Sequence, residues 1–131
     1  MRRAILLIPV LLLAQSRSMW EGVSTKAQIT KGQKVYREEC QRCHGENMLG
    51  GEDSPALVGA DFLEKWYGKT VGDLFERTRK TMPTDGPGNL GRQQYADVTA
   101  YILSSNKVPV GQKDLESDAT PLQQIKIEAK K

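Results

Sequence analysis

Five consecutive residues, Cys40-Gln41-Arg42-Cys43-His44, concentrate the chemistry of this chain. On a helix turning about 100° per residue, Cys43 sits about 60° to one side of Cys40 and His44 about 40° to the other. Both sulfurs and the imidazole then project from one face. Two thiols so placed can form thioethers with the two vinyl groups of a haem, and the imidazole can reach the iron from below the ring. C-x-x-C-H is the attachment pattern of haem c. Two other chemistries use some of the same residues. A Cys40–Cys43 disulfide would suit an exported protein, but it gives His44 no role and lacks a βαβ setting. A zinc site needs four ligands; with two cysteines and one histidine in the chain, a carboxylate would have to be the fourth.

A second axial ligand follows by elimination. His44 is the only histidine, so two imidazoles from one chain are excluded. Methionine is the other common soft ligand. Met1 opens the N-terminal leader-like segment and Met19 lies just after that segment, while Met48 follows His44 too closely to cross a ring easily. Met82 is well downstream and precedes Pro83. Proline disfavours helix at the residue before it, so Met82 is expected on an extended segment, free to point at iron. The competing reading is core packing, because Met82 continues the helix face of Val71.

Short helices and turn-rich loops must position these groups. Thr30 to Gln33 reads as a capping box opening a helix to about His44. A second helix is expected from Asp61 to near Gly68. A third starts at Thr70 with Asp73, carrying Val71, Leu74, Phe75 and Thr78 on one face. A fourth spans Gly91 to Ser105, with Tyr95, Val98 and Ile102 at helical spacing. Residues 45–60 and 83–88 are turn-rich. No alternating run of strand length stands out. Residues 109–131 read as a polar tail that wraps the surface or stays loose.

The N-terminus reads as an address. Met1-Arg2-Arg3 is basic, Ala4 to Ala14 is apolar apart from Pro9, and Ala14-Gln15-Ser16 offers small residues for cleavage after Ser16, with cleavage after Ser18 and an uncleaved anchor as the alternatives. This is the layout of a secretory signal peptide. Eleven residues make about 16 Å of helix, short of a hydrocarbon core of about 30 Å. The expected organisation is a signal peptide at 1–16, an extension at 17–28, one domain at 29–108 and a tail at 109–131, with a periplasmic destination. Of the 131 residues 38% are hydrophobic, and eleven of these fall within residues 1–16. That leaves a thin supply for a core, which a prosthetic group would supplement. Removing residues 1–16 takes away Arg2 and Arg3 and no acid, so the formal charge falls from +3 to +1. With no basic block, nucleic-acid binding has no support.

Over roughly residues 28–108 the chain resembles class I, single-haem c-type cytochromes. Gly32-x-x-x-Tyr36 resembles the family element in which a glycine lets the terminal helix cross closely, with Val98 and Tyr101 at the partner positions. Pro55-Ala56-Leu57-Val58-Gly59 is similar to the segment passing the proximal histidine, and Met82-Pro83 to the methionine loop. The resemblance implies an all-α class I cytochrome c fold, about four short helices around one covalent haem c. It implies Cys40, Cys43, His44, Pro55 and Met82 as cofactor-binding residues, with His44 and Met82 on the metal and the Pro55 carbonyl accepting from His44 Nδ1–H. Phe62 to Thr70, Tyr95 to Val98 and Leu122 to Ile127 resemble more closely the cytochrome domain of quinoprotein alcohol dehydrogenases, which use pyrroloquinoline quinone. Trp66 or Tyr67 is then a candidate donor to a haem propionate.

The expected function is one-electron transfer, not catalysis at the haem. Two strong axial ligands close the iron, and a thioether favours the ferrous state. The expected partners are redox proteins, among them a quinoprotein alcohol dehydrogenase and a terminal oxidase, docked through a small interface. The rival is a haem subunit with an open or displaceable sixth site, acting as a peroxidase or ligand sensor. A third alternative is a subunit relaying electrons inside a fixed complex.

Overall fold

The structure, a computed structural model, describes residues 2–9 and 16–131. The expected signal-peptide residues Met1 and 10–15 lie outside the described residues. Arg2 to Pro9 is exposed and forms no regular element. From Arg17 onward the order is β1 (Arg17–Ser18), a single 3-10 turn (Met19–Glu21), α1 (Lys26–Glu39), α2 (Gln41–His44), α3 (Ala60–Trp66), α4 (Val71–Thr81), α5 (Arg92–Ser105), α6 (Ala119–Leu122) and β2 (Ile125–Lys126). This is the all-α class I cytochrome c fold. No helix among the described residues is long and apolar enough to cross a membrane.

The first helix starts earlier than its sequence suggests. Thr25 is the N-cap: its backbone is extended and its hydroxyl accepts from Gln28 N at 3.1 Å. Thr25-x-x-Gln28 carries the same local signature as Thr30-x-x-Gln33, so local pattern does not choose between them. Burial chooses. Gln28 is enclosed and bridges to the tail, donating to Leu115 O at 3.0 Å and accepting from Leu115 N at 2.6 Å. Thr30 sits within the helix and its hydroxyl donates back to Lys26 O. The helix also breaks at Cys40, whose φ of −122° separates α1 from α2.

α1 crosses α5 with little between them. A Cβ on Gly32 would lie 1.9 Å from the Asp97 carbonyl oxygen and 2.9 Å from Tyr101 Cβ. The closest partners are thus Asp97 and Tyr101, while Val98, one residue along, lines the internal cavity. The Tyr36 and Tyr101 rings stack at a tilt, their centroids 5.5 Å apart, beside this crossing. α4 opens with the expected capping box: Thr70 Oγ1 accepts from Asp73 N at 3.1 Å, and Asp73 Oδ2 accepts from Thr70 N at 3.0 Å. Only the Gln94 half of a box forms at α5, because its N-cap Gly91 has no side chain.

The tail wraps the domain. Leu115, Leu122, Ile125 and Ile127 are buried with Met19 in the core. β2 pairs in parallel with β1, and Trp20 Nε1 donates to Glu128 O. Ile127 exchanges backbone bonds with the turn before α4: Gly68 N donates to its carbonyl and its own N donates to Lys69 O. α6 packs on α4 so closely that a Cβ on Gly72 would lie 2.7 Å from Gln123 N. The polarity of the tail hid this, because its few apolar residues are spaced to fill separate gaps and follow no single period.

Candidate functional site

α2 is one turn long, and its start at Cys40 sets the motif. The Cys40 carbonyl accepts from both Cys43 N at 3.2 Å and His44 N at 3.0 Å, so one oxygen gathers the two residues that follow it around the turn. The two thiols are unjoined. Burial first, then the Glu39 carboxylate, pushes the Cys40 thiol up to about 11. A thiol so placed holds little thiolate at neutral pH, unlike the activated cysteine of redox dithiol motifs.

His44 is buried and its ring is oriented from outside its own element. Nδ1 lies 2.8 Å from the Pro55 carbonyl oxygen. A carbonyl only accepts, so Nδ1 is the donor and Nε2 is the ring nitrogen left to face another partner. The segment bearing Pro55 is tethered in turn by Asn106, just past α5. Its Nδ2 donates to Leu57 O at 2.9 Å and its Oδ1 accepts from Gly59 N at 3.0 Å. Leu57 N also donates to Met48 O. The sequence offered no sign of this tether, since an asparagine ending a helix reads as a simple cap.

Cys40, Cys43, His44, Pro55 and Met82 all line one cavity of about 330 Å³, within the range of small-molecule and cofactor sites, about 300–1,000 Å³. Its apolar wall comes from Phe62, Trp66, Leu74, Val98 and Ile102. Arg42, Asp53, Lys65 and Arg77 add charged groups to its lining. Trp66 lines it and Tyr67 does not; Tyr67 is 37% exposed, which separates the two propionate candidates. Met82 ends α4 with an extended backbone, φ −120° and ψ 149°, as the following proline requires. Met48 is buried elsewhere in the core and is not part of the cavity wall.

Two further contacts surround the loop after Met82. The Tyr95 hydroxyl donates to the Met82 carbonyl oxygen. On the surface, Arg42 of the cysteine motif pairs with Asp85, and its guanidinium holds the Asp85 carboxyl below the usual carboxylate range. Both partners are exposed, so this pair adds little.

An apolar cavity with two thiols, an imidazole with a free Nε2 and a thioether is a donor set for a covalently bound haem. A family described as cytochrome c oxidase, cbb3-type, subunit III, matches residues 27–102. The chain belongs to that family: it is a c-type cytochrome with covalently attached haem c, a domain that implies haem-based electron transfer. Among solved structures, the chain is similar to the sulfane dehydrogenase SoxCD from Paracoccus pantotrophus, with 19% identity and a TM-score of 0.54. That likeness covers 82% of this chain and 60% of the other, and concerns the fold.

Proposed function

We propose that this chain is an exported, periplasmic one-electron carrier whose haem c is joined through Cys40 and Cys43 and ligated by His44 and Met82. The observation that carries this reading is that His44 and Met82, from different elements, face one cavity from which Met48 is excluded. Bound there, haem supplies a one-electron ferric/ferrous couple. The protein's part is to fix both ligands, exclude water and leave an edge near Cys43, the more exposed cysteine, for partners to approach. Pro55 holds the His44 ring, and the Met82 thioether favours the ferrous state.

The partner proposal rests on sequence. Residues 62–70, 95–98 and 122–127 resemble the cytochrome domain of quinoprotein alcohol dehydrogenases. A two-electron quinone must release its electrons singly to a haem. An exported dehydrogenase of that kind is therefore the proposed donor, and a terminal oxidase the destination.

Carbon monoxide separates the carrier from the rival peroxidase or sensor. The reduced holoprotein with both ligands in place is expected to bind it poorly at neutral pH. Rapid, complete formation of the carbonyl adduct would instead assign an open or displaceable sixth site.

A further inference from the structure

We infer that Tyr95 is a positioning residue for the haem ligand Met82, holding the methionine loop to α5 by its hydroxyl; this rests on the reading of Met82 as a ligand. Tyr95 is 1% exposed and its ring is part of the core. Its hydroxyl donates to the Met82 carbonyl oxygen at 2.7 Å and accepts from Leu90 N at 3.4 Å. One phenol thus meets both ends of the segment between α4 and α5. The segment's other backbone bonds are local: Met82 N donates to Thr78 O, Gly86 N to Pro83 O and Asn89 N to Gly86 O. Its outer tie, Asp85 to Arg42, is exposed to solvent and salt. The Tyr95 bond is made from a side chain that is itself buried.

The Met82 carbonyl carbon is bonded to the Cα that carries the thioether side chain. Fixing the carbonyl therefore fixes the direction in which Cβ leaves the backbone. Without the hydroxyl, the segment keeps its turns and the packing of Pro83 and Leu90 but loses its hydrogen bond to α5. Met82 then yields its place more readily to an external ligand.

The test uses imidazole binding to the ferric holoprotein, followed by loss of the methionine-to-iron charge-transfer band. Tyr95→Phe keeps the ring and removes one hydroxyl. It is expected to bind imidazole about three- to tenfold more tightly, the scale of one net hydrogen bond, and to lose the band at a lower pH. Tyr36→Phe is the comparison. It removes another hydroxyl bond to a backbone carbonyl, that of Gly45, beside His44 and away from the methionine loop. It is expected to lower Tm comparably and leave imidazole affinity unchanged. Equal effects of both variants on imidazole, or none from Tyr95→Phe, would overturn the inference. Met82→Ala keeps the two claims apart. If it abolishes the band while Tyr95→Phe changes nothing, the ligand stands and the positioning role falls. If it leaves the band intact, the ligand reading itself falls. Should Tyr95→Phe not accumulate, NMR of the ferrous wild-type protein decides. A slowly exchanging Tyr95 hydroxyl proton close to Met82 and Pro83 is expected, and a freely exchanging one overturns the inference.

Discussion

At the scale of the residue, the orientation of His44 depends on partners of very different reach in the chain. The cysteines beside it are legible at once, because thioether attachment needs a fixed local spacing. Pro55 was reached only through resemblance to a known family. Asn106 was not legible at all: it acts across the fold, through one buried amide shared between two backbone groups of the Pro55 segment. Asn106→Ala strips partners from Leu57 O and Gly59 N. It is expected to cost about 1–3 kcal/mol, measured by denaturant unfolding of the holoprotein, and to broaden the His44 ring signals in NMR. Unchanged stability would mean that water replaces the amide without loss. Cys40 and Cys43 give a sharper expectation. The denatured protein should keep its haem through acid–acetone extraction, with a mass increased by one haem. A mass matching a bare disulfide would contradict covalent attachment.

At the scale of the element, local signals succeeded where the chain makes its own contacts. The Thr70–Asp73 box starts α4, and Val71, Leu74 and Phe75 are buried along it as their spacing requires. Sequence alone does not fix the start of α1, because two capping signatures stand five residues apart. The choice between them is made by Gln28 and Leu115, distant in sequence. The course of the tail is hidden for the same reason: its anchors fill gaps left by other elements. α4 also carries an acid-sensitive group. Hydrogen bonding from Arg79, with help from Lys80, lowers Glu76 to about 2. Its folded value lies below its unfolded one, so its contribution is present above the usual carboxylate range and fades as pH falls toward about 2. Glu76→Gln is therefore expected to flatten the acid side of the Tm profile and leave the neutral side nearly parallel to wild type. An unchanged acid slope would show that the pair is as solvated folded as unfolded.

At the scale of the whole molecule, the cavity explains the thin supply of apolar residues. Side chains from α3, α4 and α5 end on a space that needs a large apolar body. Cys40→Ala combined with Cys43→Ala should therefore leave little folded protein. The pairing of Arg17 bears on where a leader would be cut. β1 begins at Arg17, whose N donates to Gln124 O at 2.7 Å. Cleavage after Ser16 keeps β1, whereas cleavage after Ser18 removes it. N-terminal sequencing of exported holoprotein is expected to begin at Arg17; a start at Met19, or a retained Met1 in the membrane fraction, would contradict this. For the partner, a residual charge of +1 after cleavage leaves little long-range steering. Stopped-flow reduction by a quinoprotein dehydrogenase with its alcohol should outpace an unrelated donor and depend weakly on salt. Equal rates would remove the specific donor and keep the carrier. The central claim is that Met82 closes the iron opposite His44, and redox potentiometry of two variants tests it most directly. Met82→Ala is expected to lower the potential by more than about 60 mV, tenfold in a one-electron equilibrium, and to open the ferrous protein to carbon monoxide. Met48→Ala, although it empties a buried site, is expected to do neither. If the two variants exchange these phenotypes, the ligand is Met48 and the account is wrong.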